Sequence, residues 1–167
     1  MNVPKPFWTI GREREKQHAA SFVKKPDQQA LLFPVIDAAL DLNEGKGDEA
    51  RFVDVARRAM AEGSSAVWEE TSLWISKIAL RYENVSSLWD ELAVHPSWQA
   101  RCRVACLLYH AIPEEQSDRL FAGLRHDRSA KVRTSAIDRY EYRPGPDGYI
   151  VKLFDSNDPA SPGFSGS

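Results

Sequence analysis

The chain has 167 residues, 43% of them hydrophobic and 28% charged, with a formal net charge of −2. That is enough for one ordinary domain with a hydrophobic core, and it excludes the disordered, fibrous and membrane-embedded classes. The balance also lacks the basic excess typical of phosphate-binding surfaces, which makes nucleic acid the less expected partner.

The first residues, Met1-Asn2-Val3-Pro4-Lys5-Pro6, carry no apolar run of the kind a secretory leader needs. No stretch approaches the roughly 20 apolar residues that span a bilayer. A cytoplasmic location without membrane contact is therefore expected, and the two cysteines are expected to be reduced.

Helical periodicity recurs along the chain, and the predicted class is all-α with about eight helices. A polar first helix is expected from about Gly11 to Lys24, ended by Pro26. In the second, from about Asp27 to Leu42, the residues Leu31, Val35, Ala39 and Leu42 form a stripe flanked by Leu32, Ile36 and Leu40, with Pro34 as a kink or a true start. Asn43 to Gly47 reads as a loop, and Asp48 as the N-cap of a third helix carrying Phe52, Ala56, Ala59 and Met60. Gly63 closes that helix. Ser64 or Ser65 opens a fourth, whose wide apolar arc of Val67, Thr71, Trp74, Ile75, Ile78 and Tyr82 predicts a central, largely buried element closed by Asn84. Ser87 with Asp90 has capping-box spacing for a fifth.

From there the sequence repeats at an offset of 32 residues. Leu88 aligns with Leu120, Trp89 with Phe121, Leu92 with Leu124, Ser97 with Ser129, Ala100 with Val132 and Arg101 with Arg133. Each unit reads as a short helix, a polar turn and a second helix, the layout of a helical solenoid. The second unit, Leu124 to Ala136, has a turn aspartate, Asp127, followed by Val132-Arg133. It resembles the HEAT-repeat family over Ser87 to Tyr142, with His95 and Ala100 replacing the aspartate and valine in the first unit. The resemblance implies a right-handed stack of antiparallel helix pairs there, and helix spacing alone, without hallmark residues, extends that stack upstream into a single domain over residues 1–143. A Pro/Gly/Ser-rich irregular tail, 144–167, would follow, with Tyr149 to Phe154 either adding a strand-like segment or folding back to cover the last repeat. The resemblance also implies that Arg101 and Arg133 each bind the turn of a neighbouring pair.

Five tryptophans are many for this length, and tryptophan and arginine are frequent interface anchors. Trp74 and Trp89 lie on apolar stripes and read as core. Trp68 and Trp98 adjoin charged residues. The candidate partner-binding set is Trp68, Glu69, Glu70, Asp90, Trp98, Arg101 and His110. Cys102, Cys106 and His110 recur every four residues as possible soft ligands, but no second ligand pair accompanies them, so they read as packing residues with no metal or cofactor expected. No nucleophile motif flanks His18, His95 or His126, and Gly45-Lys46-Gly47 lacks the rest of a phosphate loop.

Two functions compete. The first is a non-catalytic protein-binding module, an adaptor or an immunity-type protein that neutralises a toxin or effector through a concave helical face. The second follows from Leu88 to Arg101, which is similar to the HEAT-like alkylpurine DNA glycosylases. In them a segment running from tryptophan to arginine, here Trp98 and Arg101, opens a DNA-facing helix. Asp138 stands where that family has a later DNA-facing aromatic residue, and no catalytic aspartate can be assigned.

Overall fold

The structure, a computed structural model, describes residues 5–145. The class is all-α, with eight α-helices and no strand among the described residues. They are α1 (Arg12–Phe22), α2 (Pro26–Asn43), α3 (Glu49–Glu62), α4 (Ser65–Ala79), α5 (Ser87–Ala93), α6 (Trp98–Leu107), α7 (Glu114–Leu124) and α8 (Ala130–Glu141). None of them is long and apolar enough to cross a membrane. The chain forms two compact units that meet in sequence between Leu92 and Ala93. The expectations for Tyr149 to Phe154 and for the tail beyond Gly145 lie outside the described residues.

In the first unit the hub is α2 rather than α4. Of its stripe and flanking residues Leu32, Val35, Ile36, Ala39, Leu40 and Leu42 are buried, Ala38 with them, while Leu31 is half-buried, and the helix packs on α1, α3 and α4. The helix α4 buries Val67, Thr71, Trp74, Ile75 and Ile78 but leaves Glu69, Leu73 and Lys77 exposed. Pro26 opens α2 at a position where its missing N–H costs nothing. Pro34 sits inside the helix, which continues past it to Asn43.

The polar α1 buries only Ala19. Charge holds it instead: Arg12 bonds Asp37 at 2.9 Å and Asp41 at 2.6 Å, Lys16 bonds Asp37 at 2.8 Å, and Arg51 of α3 reaches Asp41 at 3.0 Å. Single exposed pairs contribute little, but these share carboxylates as a network across three helices.

Asp48 caps α3 as expected, accepting from the Ala50 N–H at 3.0 Å. Gly63 ends α3 for a different reason from a left-handed cap. Its φ is −70°, and a Cβ there would lie 2.5 Å from both the Ala59 carbonyl oxygen and Val67 Cγ1. Close approach of α3 and α4 demands the glycine.

Two boundaries differ from expectation. Helix α4 stops at Ala79, and Asn84 lies in a 3-10 turn, Glu83–Ser86, that runs directly into α5. Ser87 is therefore itself helical, at φ −61° and ψ −20°, rather than an extended N-cap, and its hydroxyl donates to the Asn84 carbonyl at 2.8 Å. Tyr82, also beyond α4, donates its hydroxyl to the Leu42 carbonyl at 2.8 Å, satisfying an acceptor at the end of α2.

Asn43 is the buried last residue of α2 rather than part of a loop. Its side chain clamps the N-terminal strap, accepting from Phe7 N at 2.9 Å and donating to Phe7 O at 3.0 Å, while Arg81 donates to the Asn43 backbone carbonyl at 3.1 Å. Asn43→Ala strips both strap bonds, and a cost of about 1–3 kcal/mol is expected from the unpaired groups. Amide exchange at Phe7 reads it directly, and unchanged protection there would contradict the clamp.

Candidate functional site

The second unit is organised by its two repeated turns. In the first, His95 Nδ1 accepts from Ser97 N at 3.1 Å; in the second, Asp127 Oδ1 accepts from Ser129 N at 2.8 Å. Each side chain thus holds the amide two residues on, as an Asx turn does, and feeds the chain into α6 or α8. His95 performs the aspartate's task with a ring nitrogen, which must be unprotonated to accept.

The arginines repeat as well. Arg101 Nη1 donates to the His95 carbonyl at 2.7 Å, and Arg133 Nη1 to the Asp127 carbonyl at 2.6 Å. Both reach back to the turn that begins their own helix, so the bond of Arg133 is to its own turn rather than to a neighbouring pair's as expected. Arg101 also crosses to the next turn, its Nε and Nη2 meeting Asp127 Oδ2 and Oδ1 at 2.7 and 3.1 Å. Its remaining bond is to the Pro96 carbonyl at 2.9 Å. Arg101 is 5% exposed, so this two-pronged pair is buried. The hydrogen bonds from Arg101 hold the Asp127 carboxyl below its ordinary range, and Asp127 in turn raises the guanidinium.

This clasp draws α6 against α8 and leaves a cleft of about 550 Å³ over their first turns. Pro96, Trp98, Arg101, Arg128, Ser129 and Lys131 line it. Trp98 is 38% exposed, and Lys131 Nζ stands 4.9 Å above its ring. The exposed Arg128 donates to the Pro96 carbonyl at 3.0 Å, bridging the two turns. Neither α6 nor α8 carries an acidic residue in its first turn, whereas α7 begins with Glu114 and Glu115. The partial positive ends of α6 and α8 therefore add to Arg128 and Lys131, while Asp127 neutralises Arg101. Chemically the cleft offers an indole face and two solvent-facing cations, a site for an anionic segment with some apolar surface.

The sequence-derived candidates fall in both units. Trp68 and Glu70 on α4 are half-buried, Glu69 beside them is exposed, and Asp90 on α5 is half-buried, all in the first unit. Trp98, Arg101 and His110 belong to the second, where Trp98 and Arg101 share the cleft. His110 does not. Helix α6 ends at Leu107, and the chain turns through Tyr109 in the left-handed region at φ 59°, which carries His110 off the α6 face into an exposed turn. Sequence reasoning missed Arg128 and Lys131 as site residues. The signal was present in the offset of 32, which places them in register with Pro96 and Gln99.

No family model matches the sequence, and no curated or structurally solved protein shows significant similarity to it.

Proposed function

We propose that the chain is a HEAT-like, non-catalytic protein-binding module, of the adaptor or immunity type, that holds an acidic segment of its partner in the Trp98 cleft. The observation that carries this reading is the half-open indole of Trp98 under Lys131 and beside Arg128, mounted on two turns locked by the buried Arg101–Asp127 pair. A rigid aromatic anchor loses little rotamer freedom on binding, and flanking cations select the sign of what approaches. Two free thiols, Cys102 and Cys106, favour a reducing, cytoplasmic setting.

Nucleic acid is the second reading, since an exposed tryptophan beside two cations also suits a base and its phosphates. The buried state of Arg101 weighs against it: in the glycosylase resemblance that residue would face DNA, yet its donors are spent on Asp127, His95 and Pro96.

Parallel retention assays separate the two. An immobilised Asp/Glu-rich peptide with one aromatic residue should retain the full chain at about 150 mM salt, and a duplex oligonucleotide should not. Trp98→Ala is expected to weaken peptide binding by about 30-fold, the scale of a hot-spot truncation of about 2 kcal/mol. Lys131→Glu should abolish the attraction at low salt. Steeply salt-dependent retention on DNA alone would replace this reading with the second.

A further inference from the structure

The Trp98 cleft suits an aromatic or apolar group beside negative charge, and none of its lining residues is acidic. Its buried cation, Arg101, is neutralised by Asp127, so the exposed Arg128 and Lys131 set the sign of what it takes. The chain carries a segment of that chemistry a short way downstream. Beyond the described residues the sequence reads Leu153-Phe154-Asp155-Ser156-Asn157-Asp158-Pro159, an aromatic ring beside two carboxylates with no cation among them.

Reach permits the encounter. The chain leaves α8 at Tyr142, whose N–H bonds the Asp138 carbonyl at 3.0 Å. Arg143 fastens this exit, its Cζ 3.9 Å from the centroid of the Tyr140 ring and its Nη1 donating to the Tyr140 carbonyl at 2.7 Å. The cleft lies at the other end of α8, whose 12 residues rise about 18 Å. Phe154 follows Gly145 by nine residues, a span of up to about 30 Å. The segment can therefore return along α8 with chain to spare.

We propose that residues 154–158 occupy the Trp98 cleft of their own chain and so compete with the acidic segment of the partner. The Phe154 ring lies against the indole, and Asp155 and Asp158 face Arg128 and Lys131. This rests on the binding role given to the cleft above, and it adds the regulation of that site. A segment tethered this closely has an effective concentration of about 1 mM, so an intrinsic dissociation constant of about 0.1 mM fills the cleft in about nine-tenths of molecules. The partner then binds about tenfold more weakly than it would to an open cleft.

The test is fluorine NMR of the full chain labelled with fluorotryptophan, the Trp98 resonance being assigned by Trp98→Phe. The triple variant Phe154→Ser/Asp155→Lys/Asp158→Lys is expected to move the Trp98 resonance and leave the other tryptophans in place, while circular dichroism stays native. The wild-type chain supplies a readout that needs no variant: added salt should carry its Trp98 resonance toward the position in the triple variant. The Asp/Glu-rich peptide should bind the triple variant about tenfold more tightly than wild type. An identical Trp98 resonance in the two chains, or a change at another tryptophan with Trp98 unmoved, overturns the contact whatever the peptide does. A wild-type resonance that depends on protein concentration would place the segment in a second copy and overturn the tethered contact. Equal, measurable peptide affinity for the two chains would overturn the competition. Peptide binding to neither chain, with the Trp98 resonance still moved by the substitutions, would support the contact and remove the partner reading instead.

Discussion

Arg101→Ala is expected to destabilise the second unit by about 3–5 kcal/mol, the usual cost of removing one partner from a buried ion pair. The loss is large because Arg101 serves two turns at once. Without it the buried Asp127 carboxylate keeps only the Ser129 amide as a hydrogen-bond donor, the His95 carbonyl loses its arginine, and the Pro96 carbonyl is left with Arg128 alone. Arg101→Lys should fall between wild type and alanine, since an ammonium keeps the charge but cannot form the two-pronged bond. The double variant Arg101→Ala/Asp127→Ala should cost less than the sum of the singles, because it removes the stranded charge as well. Urea unfolding followed through the exchange of α8 amides measures all three, and a loss below about 1 kcal/mol for Arg101→Ala would contradict a buried clasp.

The same pair sets an acid limit. The folded-state pKa of Asp127 is lowered, so its contribution to stability is present above the ordinary carboxyl value of about 4 and is lost as pH falls through the lowered folded value. Asp127→Asn should remove that part of the acid sensitivity and lower stability at neutral pH.

Trp74→Ala should cost the first unit a similar amount, about 3–5 kcal/mol, through the cavity left by one of its two fully buried tryptophans. The indole is 1% exposed, with the Phe7 ring 6.1 Å away and Lys77 Nζ 4.6 Å from its centroid. Trp74→Phe should be milder, about 1–2 kcal/mol, since most of the volume remains. The indole Nε1 has no hydrogen-bond partner among the described residues, so its removal strands no acceptor there. Thermal unfolding of the two variants gives the comparison, and equal losses would contradict the cavity account.

What the chain disclosed in advance follows from how local each signal is. Apolar stripes at helical spacing marked α2, α3 and α4, and an aspartate before Glu49 marked a cap, because both act within a turn or two. The offset of 32 residues placed the paired turns, and the geometry extends it to hydrogen bonds: His95 and Asp127 hold the amide two residues on, and Arg101 and Arg133 return to their turns. The misreadings arose where a distant contact decided. The network of Arg12, Lys16, Asp37 and Asp41 joins polar residues that share no period, so nothing local announced that α1 docks by charge. Ser87 and Asp90 had capping-box spacing, but the 3-10 turn already supplied the helix start. The cleft itself was half-visible. Trp98 stood out by type, whereas Lys131 joins it only because α8 lies against α6.

Hydrogen–deuterium exchange of the full chain, free and saturated with the acidic peptide, tests the assignment of the binding face most directly. Protection is expected in the first turns of α6 and α8, around residues 96–101 and 128–133, and it should vanish in Trp98→Ala. Protection confined to α4 around Glu69, with those two turns exchanging at their free rate, would show that the partner docks elsewhere.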